Sequence, residues 1–173
     1  INGIYSPSDD NQLNRGKIID NQGQEIETVV LGKAISLIKK YIDLKKDYFW
    51  IVYPKNKNTQ NLHLQIAGIW DPYQLNDMGD ENFKKNILEI LHELNLSDNY
   101  FSIRGELIYV NNKKNEIVIK ICSSSKSKKL KNNFKIVLEG KISLEFLNNF
   151  VSLDVLRVGN TLRLVKCEVV EKL

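Results

Sequence analysis

The sequence predicts a mostly β protein with minor α, built as two tandem five-stranded Greek-key barrels, each with a helix between its third and fourth strands. Three observations carry this. A β-type run ending in Leu, Gly and Lys occurs twice, as ETVVLGK at 27–33 and FKIVLEGK at 134–141. Each run is followed by an apolar-periodic segment, AISLIKKYI in one case and ISLEFLNNF in the other. Each then continues into two more β-type runs, FWIVYPKN with LHLQIAG and FVSLDVLR with TLRLVKC. A ten-strand sandwich is the rival architecture. Helices at matching positions count against it, since sandwiches join their strands by loops.

The elements follow in order. Residues 1–5 are a short β-type run, and 6–14 (SPSDDNQLN) read as a polar, turn-rich stretch. Residues 15–20 resume as a strand, and Asn21-Gln22-Gly23 is a turn signal. In the next strand, 27–33, Gly32 marks an expected bulge or bend. Residues 34–46 switch to helical period, with Ala34, Leu37, Ile38, Tyr41 and Ile42 on one face and Lys39, Lys40, Lys45 and Lys46 largely opposite. Residues 48–53 (YFWIVY) form a strand that is apolar on both faces. Residues 54–60 are the expected hairpin loop, and 62–70 the closing strand, with Leu62, Leu64 and Ile66 inward.

Residues 73–99 have no counterpart in the second half and form an acidic linker. Asp80 can cap a helix over 81–94 whose apolar stripe is Phe83, Ile87, Ile90, Leu91 and Leu94. The second unit opens with 101–110, turns at 111–115 (NNKKN) and returns through 116–122, where Ile117, Ile119 and Ile121 alternate with Val118 and Lys120. The loop 123–133 holds four Lys and no acid. A strand at 134–140, a short helix at 143–149 and a hairpin turning at Gly159-Asn160 complete the unit. The expected domains are therefore 1–72, the linker 73–99, and 100–173.

Composition narrows the function. With 42% hydrophobic residues, 173 residues suffice for packed cores. No apolar run approaches the ~18 residues of a membrane span, and no membrane role is expected. Ile1 is not an initiator Met, so the expectation is a trimmed or processed chain, compatible with loss of a targeting segment. Cys122 and Cys167 are far apart and lack CxxC spacing, which favours a reducing compartment, cytoplasmic or like the plastid stroma. The net charge of +4 is uneven: +1 over 1–72, −4 over 73–99 and +7 over 100–173. A polyanion-binding face therefore belongs in the C-terminal third.

No enzyme motif is present: no Walker loop, GxGxxG, HExxH or GxSxG. His63 and His92 are isolated, and neither Cys has an adjacent base. No catalytic residue, cofactor or metal site is expected.

Strand order β-β-β-α-β-β is the signature order of the OB-fold, a five-stranded Greek-key barrel. The chain looks like a tandem OB-fold protein. Its second half, with FSIRGELIYVN, IVIKI, FKIVLEGKI and LDVLRVGNTLRLVKCEVV, also resembles small two-OB-fold proteins of cyanobacteria and plastids. The resemblance implies a binding module for single-stranded nucleic acid or oligosaccharide, or an interaction module, and carries no catalytic motif with it.

On an OB barrel the ligand surface is the face of strands two and three with the loops joining strands one and two and strands four and five. In the second unit these parts hold Lys113, Lys114, Lys120, Lys135, Arg157 and Arg163. Lys126, Lys128, Lys129 and Lys131 lie in the loop between strands two and three, where a solvated tip is as good a reading as a phosphate contact. Tyr109 is the expected stacking platform, while Phe101 and Phe134 are expected in the core. In unit one, Tyr5, Tyr48, Trp50, Tyr53 and Trp70 fit barrel core, or stacking if Tyr53 and Trp70 face outward. The leading expectation is a non-enzymatic binder of single-stranded RNA or DNA through the basic second unit. The alternative is a protein-interaction module, homodimeric or with another partner, using the 81–94 helix or the 48–53 strand.

Overall fold

In a computed structural model of the chain, residues 1–9, 11–70, 97–122 and 133–172 are described. The expected 81–94 helix and the lysines of the 123–132 loop lie outside them. The elements are β1 (Asn2–Asp9), β2 (Gln12–Asp20), β3 (Glu25–Val30), α1 (Gly32–Tyr41), β4 (Tyr48–Asn56), β5 (Leu62–Trp70), β6 (Tyr100–Asn111), β7 (Glu116–Cys122), β8 (Asn133–Glu139), β9 (Asn149–Val158) and β10 (Thr161–Lys172). The strands close into two barrels, ordered β1-β2-β3-β5-β4 and β10-β8-β7-β6-β9. Numbered within each barrel, both run 1-2-3-5-4 around the ring. In both, strand three lies parallel to strand five. The duplication read from the sequence is thus a duplication of topology.

The first barrel closes where β1 meets β4, with Asn2 opposite Phe49 and Gly3 opposite Tyr48. Its core sets an aromatic cluster among aliphatic residues such as Ile18, Ile26, Leu64 and Ile66. Trp50 meets Tyr5 and Tyr48 edge-on at 5.9 and 5.8 Å, and its indole Nε1 donates to Gly3 O at 2.8 Å. The Tyr5 hydroxyl donates to Leu13 O at 3.0 Å, so each buried polar tip is matched. Of the five aromatics noted in this unit, Tyr5, Tyr48 and Trp50 are core, Tyr53 is exposed, and Trp70 packs edge-on against Phe49 at 6.0 Å.

Several boundaries differ from the sequence reading. The polar stretch 6–14 is largely strand, because β1 and β2 form one long antiparallel hairpin paired as far as Asp9↔Gln12 with a bulge between Pro7 and Asp9. Ladder hydrogen bonds there outweigh the turn propensity of the side chains. Gly32 is no bulge but the first residue of α1. The helix ends at Tyr41 rather than Lys46, because Ile42 turns extended and Asp43 organises a turn, its Oδ1 accepting from Lys45 N at 3.0 Å. Only Ala34 and Ile38 of its apolar face are buried, while Leu37 and Tyr41 are exposed. β4 runs on through Pro54 to Asn56, where a loop was expected.

The second barrel has no α-helix between β8 and β9. A single 3₁₀ turn, Leu144–Phe146, stands there, with the Ser143 side chain accepting from Glu145 N at 3.4 Å. Asn148 sits at φ 64 and ends the turn after too few residues to nucleate an α-helix. The core is aliphatic: Leu107, Ile117, Ile119, Leu138, Val151, Leu153, Val155 and Leu162 are all fully buried. The chain packs as two compact units, Ile1–Tyr53 with Leu64–Tyr100, and Pro54–His63 with Phe101–Leu173. The tip of the β4–β5 hairpin therefore belongs to the second unit.

Two predictions follow from this packing. A Cβ on Gly105 would stand 2.5 Å from Lys120 O and 2.7 Å from Ile119 Cγ2, so β6 could not stay this close to β7. Gly105→Ala should destabilise the second unit by ~1–3 kcal/mol in urea unfolding, and an unchanged midpoint would contradict the register. Burial pushes the Tyr5 hydroxyl from 10.0 up to about 12. Below pH ~10 both folded and unfolded chains keep that proton. Between ~10 and ~12 only the folded chain keeps it, so stability falls as pH rises. Thermal melting of Tyr5→Phe should show a shallower alkaline decline than the parent, and parallel declines would contradict the burial.

Candidate nucleic-acid interface

The outer face of β7 and β8 follows from strand alternation. Ile117, Ile119, Ile136 and Leu138 point inward and are buried. The residues between them face out and pair across the ribbon as Glu116↔Glu139, Val118↔Val137 and Lys120↔Lys135. β6 adds Tyr109 through a bulge. Leu107 pairs with Ile119, but Tyr109 pairs with Val118, leaving Ile108 as the extra residue. Unbroken alternation from buried Leu107 would send Tyr109 into the barrel. The bulge turns it outward, to 42% exposure. Its hydroxyl accepts from Asn111 Nδ2 at 3.1 Å, which steadies the ring. Asn111 Oδ1 also accepts from the backbone N–H of Lys113 and Lys114, at 3.2 and 3.1 Å, shaping the turn that carries both.

The hairpin tip Pro54–His63 packs in this same unit. Asn56 is 6% exposed, and its Nδ2 donates to Val137 O at 2.6 Å while its Oδ1 accepts from Val137 N at 2.8 Å. The side-chain amide does what a neighbouring strand would do at the edge of β8. Next to it, Lys55 Nζ stands 2.9 Å from the centroid of the Phe134 ring. Burial pushes the Lys55 ammonium below its ordinary value.

Between tip and ribbon runs a groove of about 850 Å³. Its apolar surface comes from Ile108, Tyr109, Val118, Phe134 and Val137, and its polar surface from Asn56, Lys57, Asn58, Glu116, Asn133 and Lys135. An aromatic ring beside ammonium groups is the combination that holds a stacked base and its phosphate.

Of the residues singled out in the sequence, Tyr109 and Lys135 line this groove, and Lys113 and Lys114 stand exposed on the β6–β7 turn. Lys120 faces out opposite Lys135, but its Nζ is 2.8 Å from Glu106 Oε2, and that hydrogen bond holds its ammonium above the ordinary value. Arg163 stands on β10 with its guanidinium 3.5 Å from Glu139. Arg157 is not on the surface. It is 6% exposed, and its guanidinium donates to Gly159 O at 2.7 Å across the β9–β10 turn. Strand alternation puts it among the inward positions of β9, with Val151, Leu153 and Val155. Phe101 is core, as expected, whereas Phe134 is half-buried under Lys55. Lys126, Lys128, Lys129 and Lys131 fall outside the described residues.

Sequence reasoning missed Lys57, Asn58, Asn56 and Glu116. The first three lie in a stretch contiguous with the first barrel, and no local pattern announces that its tip packs with the second. Glu116 was read as one end of a strand, and its place on the outer face needs the register. Among the described residues, no three His, Cys, Asp or Glu side chains gather as a metal site.

Asn56→Ala should leave the N–H and C=O of Val137 unpaired and cost ~1–3 kcal/mol. Hydrogen exchange at the Val137 amide should speed up well beyond that at Ile119. Unchanged protection at Val137 would contradict the clamp.

Residues 1–77 match the model described as the PatR RNA-binding protein, N-terminal OB-fold domain, and residues 103–171 match the cyanobacterial OB-fold-like RNA-binding domain, C-terminal. No curated protein and no solved structure matches the chain. Two closed barrels of one topology, each matched by an OB-fold model whose description is RNA-binding, make the chain a tandem OB-fold protein.

Proposed function

We propose that this chain is a non-enzymatic binder of single-stranded RNA and that the groove of the second unit is its main contact surface. The observation that carries this is the exposed Tyr109 ring in one groove with Lys57 and Lys135. The bases stack on Tyr109, since one face of Phe134 is taken by Lys55. Lys57 and Lys135, with Lys113 and Lys114 on the adjoining turn, take the phosphates. Splayed single strands suit a stacking groove better than a duplex, whose bases are already stacked and paired.

A second reading is supported by the outer face of β4. Ile51 and Tyr53 are 48% and 57% exposed there. Ile51 Cδ1 also lies over Gly68, 3.8 Å from where a Cβ would stand. An apolar row of this kind suits a second protein, including another copy of the chain. Sedimentation across a concentration series tests it, and a monomer throughout would set the homodimer aside.

Fluorescence anisotropy of labelled single-stranded RNA across a salt series tests the main reading. A log–log slope of about −2 to −3 is expected, from about three to four phosphate contacts at ~0.7 each. Lys57→Ala with Lys135→Ala should flatten the slope by ~1.4. Tyr109→Ala should cost ~1–3 kcal/mol, or about 5- to 150-fold in Kd, with the slope unchanged. No binding at low salt would overturn the reading.

A further inference from the structure

The outer face of the β7–β8 ribbon changes character along its length. Glu116 and Glu139 stand opposite each other at one end, Val118 and Val137 in the middle, and Lys120 and Lys135 at the other end. Strands rise ~3.3 Å per residue, so the acidic and basic steps are ~13 Å apart. With the Lys135 and Glu116 side chains and their hydrogen bonds reaching in from the two ends, that spacing suits one nucleotide, its phosphate at one end and the pairing edge of its base at the other. Two of the four charges are engaged elsewhere, Glu139 with Arg163 and Lys120 with Glu106. The other two, Glu116 and Lys135, line the groove and have no ion-pair partner among the described residues. Tyr109, paired with Val118, stands at the middle step.

Resting on the groove as a site for single-stranded RNA, we propose that Glu116 is a specificity-determining residue that selects guanine. The phosphate of the selected nucleotide lies at Lys135, and the next phosphate along the strand reaches Lys113 and Lys114 on the turn beside Glu116. Its base stacks on Tyr109 with the pairing edge toward Glu116. An ionised carboxylate only accepts hydrogen bonds, through two oxygens side by side. Guanine offers two adjacent donors on that edge, N1–H and the N2 amino group. Uracil offers one N–H between two carbonyls, and adenine and cytosine each offer one amino group beside an acceptor nitrogen. Only guanine satisfies both oxygens without setting an acceptor against the carboxylate.

The test uses the full chain and labelled tetranucleotides 5′-UUXU-3′, with X as guanosine, inosine, adenosine, cytidine or uridine. Guanosine should bind tightest. Inosine, which keeps N1–H and lacks the N2 amino group, should bind about tenfold weaker, the equivalent of one charge-assisted hydrogen bond. In Glu116→Gln the guanosine-to-uridine ratio should fall to about twofold or less, and UUUU should bind somewhat tighter because a repulsive charge is gone. Equal binding of all five by the parent would overturn the guanine selection alone, as would a guanosine preference that survives in Glu116→Gln. Failure of every tetranucleotide to bind at low salt would overturn the groove reading beneath it.

Discussion

The side-chain amide of Asn56 bonds both the N–H and the C=O of Val137, and the groove depends on that constraint. Without it, the edge of β8 would present an unmatched donor and acceptor, and the Lys55 ammonium over Phe134 would be left as the nearest contact of the tip with the ribbon. With it, Lys55 comes to rest over Phe134, and Lys57 and Asn58 line a wall facing Tyr109 and Lys135. Two short hydrogen bonds in a buried setting are stronger and more directional than the same bonds in water. They set position more than they add stability.

The two barrels have diverged on one topology. The first adds Tyr5, Tyr48 and Trp50 to an aliphatic core, and their polar tips need specific backbone acceptors or close neighbours. The second is filled by Leu, Ile and Val, with Phe101 as its one buried aromatic among the described residues. Its outer face is correspondingly free to carry polar chemistry in steps of two residues. The α-helix of the first barrel is reduced in the second to one 3₁₀ turn, because Asn148 in the left-handed region ends the segment early.

Much of the fold was legible. Strand order, the duplication and the inward rows of β5 and β7 follow from period-two patterning, which is a local signal. What escaped were features set by tertiary contact. The strand character of residues 6–9 comes from pairing with β2, not from Ser, Pro or Asp. Pro54 and Asn56 extend β4 although a Pro-Lys-Asn-Lys-Asn run reads as loop. In the site, Tyr109 was recognisable as an aromatic in a basic unit. The bulge that exposes it and the pairing of Lys120 with Glu106 depend on register and on neighbouring strands, whereas the inward place of Arg157 lies in the alternation of Val151, Leu153 and Val155 and was hidden by its nearness to the turn. Counting lysines pointed to the C-terminal half of the chain. It did not distinguish Lys120, which is engaged by Glu106, from Lys135, which lines the groove.

Ultraviolet cross-linking of bound single-stranded RNA, followed by mass spectrometry of the modified peptides, tests the central claim most directly. A strand lying in the groove against the Tyr109 ring predicts nucleotide adducts on Tyr109, with further adducts on residues 55–58 and 133–137. Adducts confined to residues 1–53, with none on β6 or β8, would contradict it.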